Sequence, residues 1–171
     1  MSKVVQQIRK AAARDATYIF DLDLKCFDDP WSTERWEEIN KNSNAAVWVG
    51  CNHQVPISLL VVENQWFIPP ESEHRAAAMH IHKLCVKDVF RKRGVGVRLL
   101  AHAHQEAVKV RAKWITMIIP EWLVNPNIEG NCLGWLSKYK FKALKTLEVT
   151  IPMYGKNYDQ YLFGYEMKNV N

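Results

Sequence analysis

The sequence is poor in cysteine, and none of it is spaced for chelation: Cys26, Cys51, Cys85 and Cys132 stand singly, with no C-x-x-C pair. That excludes the common zinc motifs and a disulfide framework, and leaves reduced, half-buried thiols and no metal as the expectation. No stretch approaches the roughly 18 consecutive apolar residues of a membrane span. The opening Met1-Ser2-Lys3-Val4-Val5-Gln6-Gln7 also lacks an apolar signal region, so a soluble cytoplasmic chain without a membrane partner is expected. There is no low-complexity tract, repeat or linker in the 171 residues, a length that suits one domain, 1–171, with a real core. His102 and His104 lie two apart in a helical pattern, which turns them to different faces and away from a shared metal.

Charge is present in both signs, with a formal net of +5. That balance favours polyanionic ligands. Lys138, Lys140, Lys142 and Lys145 fit either a solvated face or a contact with nucleic acid, and composition does not separate the two.

Apolar spacing gives the chain its order. Val4 to Lys10 reads as a strand, and Asp15 as the N-cap of a helix carrying Ile19, Phe20, Leu22, Leu24 and Phe27. After Asp28-Asp29-Pro30 a second helix starts with Ser32 as cap and fades at Asn40-Lys41-Asn42. Strands Ala45–Cys51 and Pro56–Glu63 follow, joined by an Asn52-His53-Gln54 turn. Asn64 to Ala78 is polar, contains Pro69-Pro70 and reads as a long loop, either a lid or acceptor rim or a surface insertion. Lys113–Ile119 reads as a strand buried mid-sheet, with a fourth helix from Asn125-Pro126 to Lys138. A strand through Ile151, a turn-rich loop over Pro152–Asp159 and a last strand, Tyr161–Met167, complete an α/β arrangement with a mixed sheet.

The centre of the chain is His80 to Leu100. Ile81, Leu84 and Val86 alternate with polar residues as in a strand; Arg91-Lys92-Arg93-Gly94-Val95-Gly96 then bends directly into a helical pattern with Leu99, Leu100, Ala103 and Ala107. A strand, a glycine bend and a helix start form an anion site, because the first helical turn offers unpaired N–H groups and the positive dipole end. The dinucleotide fingerprint fails because Leu99 stands where its third glycine belongs. The Walker pattern fails because Val97 and Arg98 stand where Lys and Ser/Thr belong.

Arg91, Gly94 and Gly96, with Leu84-Cys85-Val86 and Val89-Phe90 before them, resemble the Arg/Gln-x-x-Gly-x-Gly/Ala pyrophosphate loop of the GNAT acyl-CoA N-acyltransferases. The order of elements is similar to that fold along nearly the whole chain. Cys26-Phe27-x-x-Pro30-Trp31-Ser32 resembles a segment of bacterial ribosomal-protein N-terminal acetyltransferases. The resemblance implies a mixed, mostly antiparallel sheet flanked by about four helices, and acetyl-CoA as cosubstrate. Leu84, Cys85 and Val86 would align pantetheine, and Arg91, Lys92, Arg93, Gly94, Val95, Gly96 and Val97 would hold pyrophosphate. The N–H groups of Cys85 and Val86 would serve the oxyanion, with Cys85 itself a packed thiol. The acceptor would be an amine, with a small molecule, a peptide or protein N-terminus, a lysine and a charged tRNA all open; Trp31, Trp66 and Trp122 hint at an aromatic lining. The state would be monomer or homodimer.

Attack by an amine needs a base. His80 and His82 alternate on one strand and therefore share a face, and an imidazole of pKa about 6.5 suits proton transfer near neutrality. His-x-His-x-Leu-x-Val is similar to the catalytic strand of serotonin N-acetyltransferase, and Glu121 is the alternative base. For the acid, Leu136 stands where many members of the family carry tyrosine. Tyr139, Tyr154, Tyr158 and Tyr161 remain open, as does unassisted thiolate departure. Loss of that tyrosine also leaves open a catalytically impaired CoA-binding module that contacts protein or nucleic acid.

Overall fold

A computed structural model describes residues 6–148, 150–153 and 156–168. Its sheet grows from a tight hairpin. His53 and Gln54 take φ of +48° and +68°, the type I′ geometry whose twist matches that of the flanking strands. The turn folds β2 (Ala45–Asn52) against β3 (Val55–Phe67). β1 (Gln6–Lys10) pairs with the outer edge of β2, and β4 (Ala76–Val86) with the inner edge of β3. β5 (Trp114–Pro120) runs parallel to β4, β9 (Gln160–Glu166) runs antiparallel to β5, and β6 (Lys142–Thr146) completes the edge. The order is therefore β1-β2-β3-β4-β5-β9-β6, with β4–β5 its parallel neighbour pair; β7 (Ile151–Met153) and β8 (Lys156–Tyr158) form a separate small hairpin.

β3 is buried on both faces, and its alternation feeds two cores. Leu60 and Val62, with Met79, Ile81 and Val86 of β4, pack under α3 (Val95–Lys109) through Val95, Leu99, Ala103 and Ala107. Leu59, Val61 and Val49 pack under α1 (Ala16–Cys26) and α2 (Thr33–Lys41) through Ile19, Leu22, Trp36 and Ile39. Helices on both faces of one sheet make the α/β class. Ser32 caps α2 as its position requires, accepting from Arg35 N at 3.3 Å. Among the described residues no helix is long and apolar enough to cross a membrane.

Several expectations need correction. Asp15 stands at the N-cap position of α1 as expected, but its carboxylate makes no capping bond to the helix: it accepts from Arg9 at 2.6 and 2.8 Å and from Ala12 N at 2.8 Å, tying β1 to the helix start. Phe20 and Leu24 face outward, since helical geometry gives the sheet only Ile19 and Leu22. The long loop shrinks to residues 68–75, because β3 and β4 stay paired out to Phe67↔Ala76. The polar run Glu63-Asn64-Gln65 hides a strand that continues. The fourth helix does not begin at Asn125, whose side chain turns the backbone by accepting from Asn127 N at 2.9 Å. Gly130, at φ +83°, keeps that segment irregular, and the helix is split into α4 (Glu121–Val124) and α5 (Leu133–Lys138). Five helices thus stand among the described residues where about four were expected. The strand expected through Ile151 ends at Thr146, and the loop over Pro152–Asp159 contains the β7–β8 hairpin.

Candidate active site

The site begins where two neighbouring strands part. β4 and β5 pair only from Ala78↔Trp114 to Ile81↔Met117. Beyond that point β4 stays with β3 as far as Val86 and β5 stays with β9 as far as Pro120. The sheet therefore opens as a V, and its inner β4 edge has no β5 partner. Lys87 N donates to Ile57 O at 2.9 Å, so strand alternation turns the backbone of Cys85 toward β3 and that of Leu84 and Val86 toward the opening. Of the two N–H groups expected to serve an oxyanion, that of Val86 faces the opening and that of Cys85 faces β3; the N–H of Leu84 also faces the opening.

The V opens into a cleft of about 470 Å³. Ile81–Leu84 form one wall and Met117–Pro120 the other, and Phe27, Asp28, Asp29 and Trp31 from the α1–α2 turn, with Trp122 and Trp135, form the rim. Trp122 Nε1 donates to Asp28 Oδ2 at 3.1 Å, tying the two sides of the mouth together. Trp66 lies far out on β3, 68% exposed, and neither it nor residues 68–75 line the cleft.

Past Val86, at the open end of the V, the chain passes through a single 3-10 turn at Asp88–Phe90. Arg91 then locks the bend: its Nε donates to Val86 O at 3.0 Å and its Nη2 pairs with Asp88 Oδ1 at 2.8 Å. Gly94 sits at φ +79° as the first residue before α3, without a side-chain cap. Val95 is buried in the core while Lys92, Arg93 and Val97 are exposed, so the N–H groups of Val95, Gly96 and Val97 end the helix unpaired within it. Gly96 lies close to the strand: a Cβ there would stand 3.6 Å from Val86 Cγ2. These features fit a phosphate-bearing chain entering the V over the α3 terminus.

His80 and His82 lie on the same face of β4, with ring centroids 4.7 Å apart, and both line the cleft. Their surroundings differ. His80 is 4% exposed, with Nδ1 2.9 Å from Thr116 Oγ1. Burial, reinforced by His82, brings its pKa down to about 4, so it is neutral at physiological pH. His82 Nε2 lies 2.7 Å from Glu63 Oε2. Burial also works to raise the Glu63 pKa, but hydrogen bonds from His82 and Asn42 outweigh it and the carboxyl stays below its ordinary value. An ionised carboxylate only accepts. Nε2 must therefore carry the hydrogen, which leaves the His82 lone pair on Nδ1. Burial pushes His82 below the ordinary imidazole value while Glu63 opposes the shift.

Sequence reading missed Glu63, although a lone carboxylate closing the apolar run Ile57–Val62 was a signal for it. It also missed a bulge. Val61 pairs with Lys83 and Val62 with Ile81, so His82 is an extra residue on β4. The bulge puts His82 and Lys83 on one side of the sheet, both against Trp31. Lys83 is 3% exposed and donates to Asp23 Oδ1 at 2.5 Å, with its ammonium 4.2 Å from the Phe27 ring and 4.8 Å from the Trp31 ring.

The remaining candidates lie apart from this cluster. Glu121 opens α4 with its carboxylate accepting from Asp159 N at 3.3 Å, and it lines no part of the cleft. Tyr139 packs beside Trp135, Tyr158 beside Trp122, and Tyr161, half-buried, against the core. No tyrosine lines the cleft among the described residues; Tyr154 lies outside them, and Leu136 is buried. Of the thiols, Cys26 and Cys132 line the cleft, and Cys26 has the lowered pKa. A hydrogen bond with Cys85, opposed by burial and aided by Arg91, brings its pKa down to about 7, while Cys85 is pushed up by that same bond and by burial. His102 packs on Trp48 and His104 near Tyr165.

Comparison with known proteins bears on this geometry. Among curated proteins, no sequence matches. Among solved structures, Arabidopsis thaliana NAA60 in complex with a bisubstrate analogue superposes with a TM-score of 0.77 at 14% identity, over 96% of this chain and 99% of that one. Arabidopsis thaliana Naa50 with the bisubstrate analogue CoA-Ac-MVNAL gives 0.70 at 12% identity, over 96% and 100%. The ribosomal-protein-S18-alanine N-acetyltransferase of Escherichia coli gives 0.73 at 10% identity, over 95% and 94%. At such identities the likeness is one of fold. The model of the acetyltransferase (GNAT) family matches residues 16–121, a span that contains the V, both histidines and the glycine bend, and the chain accordingly belongs to the GNAT family of acetyl-CoA-dependent N-acetyltransferases.

Proposed function

We propose that the chain acetylates the α-amino group of peptide or protein N-termini by direct attack within a complex holding both substrates. The observation that carries this reading is the opening between β4 and β5 beside the His82–Glu63 pair. In it, the first turn of α3 and the Arg91–Val97 bend hold the pyrophosphate of acetyl-CoA, with Lys92 and Arg93 adding charge. The free β4 edge at Leu84 to Val86 aligns the pantetheine arm. The N–H groups of Leu84 and Val86 meet the charge that develops on the thioester oxygen.

Proton arithmetic favours an α-amine. Such a group has a pKa of about 8, so roughly a quarter of it is neutral near pH 7.5, whereas a lysine amine of about 10.4 is neutral only on the order of one part in a thousand. His82, with a pKa below about 6.5, can take the proton released on attack by an amine already neutral. It is badly matched to stripping a lysine. The aromatic mouth and the Asp28 and Asp29 carboxylates suit the approach of a cationic peptide end. The thiolate, of pKa about 8.5, leaves without a tyrosine. The bisubstrate analogue CoA-Ac-MVNAL bound to Naa50 and the ribosomal-protein-S18-alanine N-acetyltransferase activity named for the Escherichia coli neighbour support the same acceptor class. A reducing cytoplasmic setting suits the four free cysteines.

The test is a thiol-release assay with paired peptides of one sequence containing an internal lysine, one with a free and one with a blocked N-terminus. Turnover on the free peptide alone is expected. Equal turnover on the blocked peptide would overturn the α-amine reading.

A further inference from the structure

Lys83 is the one cation buried in the wall of the cleft among its described lining residues, and nothing in the chemistry above uses it. Its surroundings are specific. Asp23 Oδ1 takes its proton-bearing nitrogen, while Asp23 Oδ2 accepts from Trp31 N and Trp36 Nε1, each at 2.9 Å. The ammonium also faces two aromatic rings, Phe27 and Trp31, which both line the cleft. Trp31 in turn meets the His82 ring edge-on at 5.6 Å. One cation thus touches the acceptor wall and, through it, the imidazole.

We infer that Lys83 is a positioning residue for the acceptor: anchored by Asp23, its ammonium holds Phe27 and Trp31 as the aromatic wall and sets the charge beside His82. A cation over two ring faces is an attractive, water-excluding contact, and small displacements of a positioning wall are costly in rate. The bulge is what makes this arrangement available, since without it Lys83 would point to the opposite core.

The charge beside His82 has a definite sign. The groups facing that ring are Glu63 from β3, Arg35 from α2, and His80 and Lys83 from β4. Glu63 raises its pKa, whereas Arg35 and Lys83 lower it. Removing the lysine charge therefore moves His82 upward and carries the acid limb of the rate profile with it.

This inference rests on the reading of His82 as the base, and the experiment separates the two. The paired variant Asp23→Asn/Lys83→Met removes both charges while leaving an oxygen for Trp31 N and Trp36 Nε1; Phe27→Leu removes one ring and keeps the ion pair. Thermal unfolding establishes that each is folded. For the paired variant we expect peptide KM to rise about tenfold and acetyl-CoA KM to stay within about twofold; in Lys83→Met alone, where only the positive charge is lost, the acid limb should move to higher pH. Phe27→Leu should raise peptide KM with the acid limb in place. A folded paired variant with peptide KM unchanged would overturn the role of Lys83, as would Phe27→Leu without effect on peptide KM. If instead His82→Ala retains the wild-type acid limb, it is the base assignment that fails.

Discussion

Replacing His82 by alanine is expected to lower kcat about 100-fold or more near pH 7, the usual range for losing a positioned general base. His80→Ala is expected to do less, because burial holds that ring neutral, with a pKa of about 4, and makes it a poor proton acceptor. Glu63→Gln supplies the sharper result. Gln keeps a hydrogen-bond acceptor for Nε2 but not the negative charge that stabilises the imidazolium, so kcat falls. Glu63 also raises the His82 pKa; its neutralisation shifts the acid limb to lower pH, opposite to the shift expected on losing Lys83. Steady-state kcat between pH 5 and 8 checks both directions. A limb that does not move in Glu63→Gln, or a His82→Ala enzyme with near-normal kcat, would contradict the pairing.

The largest effect on stability is expected at Asp23→Ala. This carboxylate is 1% exposed and gathers three donors from three segments: Lys83 of β4, the Trp31 backbone of the α1–α2 turn, and the Trp36 indole of α2. Removing it strands a buried ammonium, the buried Trp36 indole N–H and the half-buried Trp31 N–H. Breaking a buried pair in this way costs about 3–5 kcal/mol, which for a chain of this size lowers Tm by roughly 6–20 °C. A fully apolar replacement of both partners is far less damaging than the loss of one, so Lys83→Met added to Asp23→Asn should recover part of the loss that Lys83→Met alone produces. Calorimetry on the single and paired variants measures this. A cost for Asp23→Ala below about 1 kcal/mol, the level of an exposed ion pair, would show that the cluster does not hold the α1–α2 turn.

What the sequence made legible was local. Alternation in His80-x-His82 put both rings on one face, the glycines and cations after Val86 marked an anion-binding helix start, and Ser32 identified a cap. What stayed hidden depends on partners distant in the chain. Asp23 and Lys83 are sixty positions apart, and each alone reads as a surface charge on an amphipathic element. Glu63 shows its role only once β3 and β4 are in register. The bulge at His82 leaves no mark in the letters, because the alternation resumes one residue later with the faces exchanged; simple alternation from Ile81 therefore puts Lys83 and Cys85 on the α3 side. The polar run after Val62 masked the extension of β3, since a paired strand end tolerates polar residues that an isolated pattern does not.

On the mechanism proposed above, acetyl-CoA and the amine meet together in the V between β4 and β5, and His82 assists a direct attack. Cys26 gives the alternative real chemistry: a thiol on the cleft wall with a pKa of about 7 is a competent nucleophile for an acyl-enzyme route. Initial rates measured while acetyl-CoA and a free-N-terminal peptide are varied against each other decide between them. Double-reciprocal lines that intersect, with no acetylated enzyme formed from acetyl-CoA alone, are the predicted result. Parallel lines, together with acetyl transferred to Cys26 in the absence of peptide, would contradict it.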